Sequence, residues 1–117
     1  MTNPPNNILN ELVAVMVKEN ASDLHLSEGR PPVIRVASFL IPIAKMPVLS
    51  RADMEGLLSA LLTSATKKEF DENKETNFAY SHSDGSASSA GGRRFRCNAF
   101  LSLGRIGIAM RLVPSET

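Results

Sequence analysis

The chain has 117 residues, 43% of them apolar and 21% charged, with 13 Lys and Arg against 12 Asp and Glu. That length suits one domain with a single core, because a chain of this size buries roughly two-thirds of its extended surface. A formal net charge of +1 argues against wholesale nucleic-acid binding, and a single cysteine excludes an internal disulfide and fits a reducing compartment.

No apolar run approaches the roughly 18 residues of a membrane span. The start, MTNPPNNILNELVAVMVKEN, lacks the positively charged region of a secretory signal. Charge is unevenly spread. Residues 67–75 mix Lys67, Lys68, Glu69, Asp71, Glu72, Lys74 and Glu75, which reads as a solvated face. Residues 93–113 carry five arginines and no acid.

Residues 7–19 have the spacing of an amphipathic helix, with Ile8, Leu9, Leu12, Val13, Met16 and Val17 on one face. Asn6 or Asn7 can cap it and Asn20 can end it. SDLHLS alternates, placing Leu24 and Leu26 on one side and Asp23, His25 and Ser27 on the other, as in a half-buried strand. EGRPP makes a turn, with Gly29 supplying backbone freedom and Pro31 and Pro32 excluding helix. VIRVASFLIPI reads as one bent strand or two short ones, with Pro42 at an edge or an end.

Ser50-Arg51-Ala52-Asp53 is a capping signature, and Met54, Leu57, Leu58, Leu61 and Leu62 follow at helical spacing. A more polar helix from about Ser64 to Asn73 carries Phe70. NFAYS reads as a strand. The segment 81–92, SHSDGSASSAGG, reads as a flexible loop holding His82 and Asp84. RRFRCNAFLSL and RIGIAMRLV then alternate on either side of Gly104, which predicts a hairpin. Helices and antiparallel strands in this irregular order imply an α+β fold.

Strand parity sorts the arginines. Phe95, Cys97, Ala99, Leu101 and Leu103 share a face, as do Ile106, Ile108, Met110 and Leu112. These apolar sets must lie on one side of the sheet, because a slip by one residue would turn one set to solvent. The other side therefore carries Arg94, Arg96, Arg105 and Arg111. A turn at Leu103-Gly104 puts Arg96 opposite Arg111, whereas a turn at Gly104-Arg105 puts Asn98 there. Like charges facing across strands cost stability, so solvent, an acid or a bound anion must compensate. Arginine's planar fork suits phosphate oxygens.

Several chemistries lack their residues. There is no Gly-Lys pair, hence no G-x-x-x-x-G-K-[ST] loop, and the chain alone is not expected to be an enzyme. Asp23 and His25 share a strand face, but two ligands do not make a metal site. Cys97 points to the apolar side, where thiols are inert. An RNA-recognition strand would display several aromatics on its open face, and here only Phe100 stands there.

The ordered segments ASDLHLSEGRPPVIRV, FLIPI, LSRADMEGLLSALLT, KEFDENKETNFAYS, RRFRCNAF and MRLVPSE resemble the N-terminal domain of the PilT-like motor ATPases. These are the type IV pilus retraction (twitching motility) proteins of the type II/IV secretion ATPase superfamily. The resemblance runs from about Ile8 to Ser115. It implies a PAS-like antiparallel sheet with flanking helices over residues 1–117, followed in the complete protein by a RecA-like ATPase domain that this chain lacks. It implies a homohexamer in the cytoplasm, peripheral at the inner membrane. The implied partners are the protein's own RecA-like domain, neighbouring subunits and an inner-membrane platform protein, with no nucleic acid.

ATP with Mg2+ is implied for the full-length protein and none for the isolated domain. The family's phosphate-contacting arginines match Arg96 in RFRCN and Arg111 in MRLVP, with Arg94 a further candidate. Asp23 and His25 match the ASDLHL signature, and an interdomain interface is their expected place. Ala37-Ser38 stands where the family often has Asp-Gly, Asn77 where Asp is common, and the 81–92 loop is longer than usual. These departures leave open a main retraction motor, an accessory motor or a secretion paralogue. A free-standing PAS-like sensor or protein-interaction module is the alternative.

Overall fold

The computed structural model describes residues 5–43, 45–82 and 93–114. In chain order it has α1 (Pro5–Glu19), β1 (Asp23–Ser27), β2 (Val33–Val36), β3 (Phe39–Pro42), α2 (Arg51–Leu61), α3 (Ser64–Asn73), β4 (Glu75–His82), β5 (Arg93–Ser102) and β6 (Arg105–Leu112). The strands form one antiparallel sheet in the order β3-β2-β1-β6-β5-β4. It consists of two three-stranded meanders joined where β1 pairs with β6.

One face of this sheet is the core side. Leu24 and Leu26 of β1, Phe95, Cys97 and Ala99 of β5, and Ile106, Ile108 and Met110 of β6 are buried there. They meet Leu9, Leu12 and Met16 of α1 and Met54 and Leu57 of α2 in a single cluster. Burying each of these larger side chains stabilises the fold by about 1.5–3 kcal/mol. The helices thus form one layer, and the far face of the sheet is left without one.

Local signals place the helices. Pro5 starts α1, where its missing N–H leaves no bond unmade, so Asn6 and Asn7 lie inside the helix rather than capping it. Asn20 closes α1 with φ of 58°, its N–H donating to the Val17 carbonyl while that of Ala21 donates to Met16. Val17 extends the periodic apolar face, yet it is exposed. Ser50 and Asp53 form the expected reciprocal capping box on α2, and Thr63 with Thr66 forms another on α3. Phe70 is the side chain by which α3 reaches the core.

Two tight turns set the strand registers. VIRVASFLIPI resolves into β2 and β3 across Ala37-Ser38, with Ala37 at φ of 57° and Pro42 on the edge strand. The β5–β6 turn is Leu103-Gly104, both at positive φ (52° and 79°), as a type I′ hairpin requires. This is the first of the two registers compatible with the sequence. Ser81, which the sequence puts both in the strand NFAYS and at the start of the loop, belongs to β4 together with His82, where Tyr80 Oη and His82 Nδ1 are 2.9 Å apart. Asp84 and the rest of that loop lie outside the described residues.

Candidate functional site

The open face of the sheet presents rows of facing residues. One row runs Ala79, Arg96, Arg111, Asp23, Arg35 and Leu40 across β4, β5, β6, β1, β2 and β3. The next runs Asn77, Asn98, Ala109, His25, Val33 and Pro42. Facing residues sit about 4.5–5.5 Å apart at Cα, so Arg96 and Arg111 stand side by side. Both side chains project from strands whose alternate residues are locked into the core, which gives the pair a rigid base.

Between the two rows lies an open groove of about 720 Å3, bordered by Asp23, His25, Asn77, Arg96, Asn98 and Arg111. Ala79 and Ala109 line it as well, and their small side chains leave the room. Asn98 Nδ2 donates to Asn77 Oδ1 at 2.8 Å and to Glu75 Oε1 at 3.0 Å, which ties β4 and β5 together at the groove wall. Arg94 is exposed one step beyond Arg96 on the same face, opposite Ser81.

The two central arginines differ in state. The Arg96 side chain is exposed and makes no hydrogen bond or ion pair among the described residues. Arg111 donates through Nε to Asp23 Oδ2 at 3.2 Å, and its side chain remains 71% exposed against 11% for Asp23. With Nε engaged, both Nη groups of Arg111 are left to other acceptors. Burial by itself would push the Asp23 carboxyl up, but hydrogen bonds from the Ser22 hydroxyl and Arg111, with the charges of Arg111 and His25, bring it below the ordinary carboxylate range. Asp23 is therefore ionised at neutral pH and offsets part of the repulsion between Arg96 and Arg111.

The far end of the face is separate. Arg105 shares the face with Arg96 and Arg111 but lies about 20 Å along β6 from Arg111, at 3.3 Å per residue. There Phe100 lies over Gly107, where a Cβ would collide with its ring. The turn beyond is anchored by Arg51, whose Nη1 donates to the Gly104 carbonyl at 2.7 Å and sits 3.6 Å from Glu28 Oε1. On the helix side, a hollow of about 510 Å3 between α2, α3 and the β5–β6 hairpin has an apolar floor including Leu58 and Phe70. Four of its rim charges are paired, Arg51 with Glu55 and Lys67 with Asp71, and Lys74 donates to the Asp71 carbonyl, so it gathers little charge of one sign.

Sequence parity places Arg94, Arg96, Arg105 and Arg111 on one face correctly, and it puts Asp23 and His25 together on β1. It does not reveal that β1 lies beside β6. The Asp23–Arg111 pair spans 88 positions in the chain, and no local pattern announces it. The amide wall of Asn77 and Asn98 was likewise missed, although both residues fall on the open side of alternating strands.

No protein-family profile matches the chain. It is 35% identical over 108 residues to the type IV pilus retraction ATPase PilT of Pseudomonas aeruginosa, an alignment covering 92% of this chain and 29% of that protein. It superposes on the crystal structure of the pilus retraction motor PilT with bound ADP at a TM-score of 0.77 and 27% identity, covering 91% of this chain and 29% of that one. The chain is a PilT-like N-terminal domain of the type II/IV secretion ATPase superfamily. The type IV pilus ATPase PilU of the same organism is 30% identical over 106 residues, 91% of this chain and 26% of that protein. The Legionella pneumophila ATPase DotB shares the fold at a TM-score of 0.76 and 20% identity, over 97% of this chain and 30% of that one.

This PilT-like domain thus spans under a third of the length of the curated relatives it matches. Its α+β architecture, a six-stranded antiparallel sheet with flanking helices, is that of the PilT N-terminal domain. No helix among the described residues is long and apolar enough to cross a membrane.

Proposed function

We propose that this PilT-like domain is the N-terminal part of a hexameric ATPase that powers type IV pilus retraction and twitching motility. Its open face lends Arg96 and Arg111, with Arg94 at the margin, to the phosphates of ATP held by a C-terminal RecA-like domain. The observation that carries this reading is the pairing of two exposed arginines across β5 and β6, above a floor of small residues, in a chain 35% identical to a retraction ATPase.

The residues present fit a triphosphate. Arg96 is unengaged, Arg111 keeps its Nη groups, and the groove beside them is open. The groove holds one carboxylate, Asp23, in a row with Arg96, Arg111 and Arg35 whose positive charge disfavours a cation, so Mg2+ falls to the RecA-like domain. When ATP is bound, the two guanidiniums neutralise charge on its terminal phosphates, where charge shifts as the bond breaks. Movement of this rigid sheet relative to the ATPase domain then couples the nucleotide state to neighbouring subunits and to an inner-membrane platform protein. On this reading the complete protein works in the cytoplasm at the inner face of that membrane.

The test uses the complete protein, read past Thr117. A P-loop is expected in the segment that follows, and a stop codon there would favour a free-standing sensor or interaction module. Arg96→Ala and Arg111→Ala should each lower ATP turnover by about 10²-fold, the scale for losing one stabilising donor, with circular dichroism unchanged. Wild-type turnover in both variants refutes the phosphate role.

A further inference from the structure

We infer that Asp23 is an internal competitor for Arg111: its carboxylate holds the guanidinium by Nε until phosphate takes it over, and so sets the affinity of the arginine face for a triphosphate. The inference rests on the phosphate reading of that face and adds a residue that weakens binding rather than making it.

Four observations carry it. First, Asp23 is the acid in a row whose other charged members are Arg96, Arg111 and Arg35, so any anion reaching Arg111 meets this carboxylate as a rival. Second, the Nε to Oδ2 distance of 3.2 Å is long for a charge-assisted bond, which usually closes to about 2.7–2.9 Å. The hold is a loose one. Third, the two partners are unequally anchored. The Asp23 side chain is 11% exposed and receives Ser22 Oγ at 2.7 Å, whereas Arg111 is 71% exposed. The arginine is the member that swings. Fourth, its departure does not strand a buried charge. The Ser22 bond remains, and Arg35 stands opposite Asp23 on β2, half-buried, its side chain making no hydrogen bond or ion pair among the described residues.

A triphosphate bears several charges against the carboxylate's one, and in the exposed groove it can take the Nε–Nη edge of Arg111 in a bidentate grip together with Arg96, which displaces Asp23. Removing the competitor should therefore tighten binding. A merely structural ion pair would act otherwise: its loss would loosen Arg111 and leave affinity flat or lower.

The probe is sodium tripolyphosphate, titrated at pH 7 and low ionic strength into the 117-residue chain and followed by 1H–15N NMR, including the arginine Nε–Hε signals. Asp23→Asn should bind about five-fold more tightly than wild type, the scale for removing one nearby charge in water. Competition further requires that this gain vanish when Arg111→Ala is also present, because no guanidinium is left to contest. A general relief of negative charge would give the same gain in both backgrounds, and that result overturns the inference. So does a flat or weakened Asp23→Asn. Should that variant unfold, Ser22→Ala serves instead. It removes the carboxylate's other bond, makes Asp23 rely on Arg111 more, and should weaken tripolyphosphate binding two- to three-fold, whereas unchanged or tighter binding overturns the idea. Binding lost in Arg96→Ala beside a flat Asp23→Asn cycle sinks this inference alone. Absence of binding in every variant sinks this inference, whereas the phosphate reading stands or falls on ATP turnover of Arg96→Ala and Arg111→Ala in the complete protein.

Discussion

Replacing Leu103 by Asn should stabilise the domain. Leu103 occupies the first position of the β5–β6 turn at φ of 52°, and its side chain is 100% exposed. A residue with a Cβ loses about 1–2 kcal/mol in this left-handed region, and Asn loses much less. No contact is sacrificed, because the leucine touches nothing it could miss. Arg51 continues to hold the Gly104 carbonyl, so the turn and its register persist. The expected gain is about 0.5–1 kcal/mol.

The companion change separates backbone strain from crowding. Gly104 sits at φ of 79° with nothing within 4 Å of a built Cβ, so Gly104→Ala has room and should still cost about 1 kcal/mol. Urea denaturation reads both. With a slope of about 1–1.5 kcal/mol per molar for a domain this size, Leu103→Asn should raise the midpoint by roughly 0.5 M and Gly104→Ala should lower it by a similar amount. An unchanged or lower midpoint for Leu103→Asn, or a neutral Gly104→Ala, would show that the turn is not strained as described. The register that sets Arg96 beside Arg111 depends on this turn.

Four further outcomes are expected. The Asp23 carboxyl lies below its ordinary value of 3.8, so its stabilising effect is complete above about pH 4 and is lost as pH falls through the folded-state value. The stability difference between wild type and Asp23→Asn should shrink across that acid range, and a constant difference would refute the linkage. Burial pushes the Cys97 thiol up to about 12 from 9.0, so the native chain should resist thiol reagents at pH 8 until denaturant is added. The same shift should make stability decline as pH rises from about 9 towards 12, measurable by urea midpoints in alkaline buffer. Gly107→Ala should cost about 1–3 kcal/mol through displacement of the Phe100 ring, and Gly107→Ala made together with Phe100→Ala should recover part of it.

Much of the fold is written in short-range pattern. Ser50 with Asp53 marks the start of α2, Asn20 marks the end of α1, and α3 runs from Ser64 to Asn73 as its polarity and Phe70 suggest. These signals work because a cap or a helical stripe needs only residues within one or two turns. Alternation likewise divided RRFRCNAF into core residues (Phe95 and Cys97) and open-face residues (Arg94 and Arg96). His82 went astray for the complementary reason. Its neighbours are small and polar, and its place in β4 comes from pairing opposite Arg93 rather than from its own surroundings.

Periodicity settles which side of a sheet a residue faces, because side chains alternate with period two and one side must be dry. It says nothing of which residue stands alongside. That choice needed closure of the chain: the Leu103-Gly104 turn selected Arg96 as the neighbour of Arg111, and the pairing of β1 with β6 brought Asp23 from 88 positions away to the other side of the same guanidinium. The basic face was legible in the linear order of residues. The Asp23–Arg111 pair at its centre exists only because the first and last strands meet in the middle of the sheet.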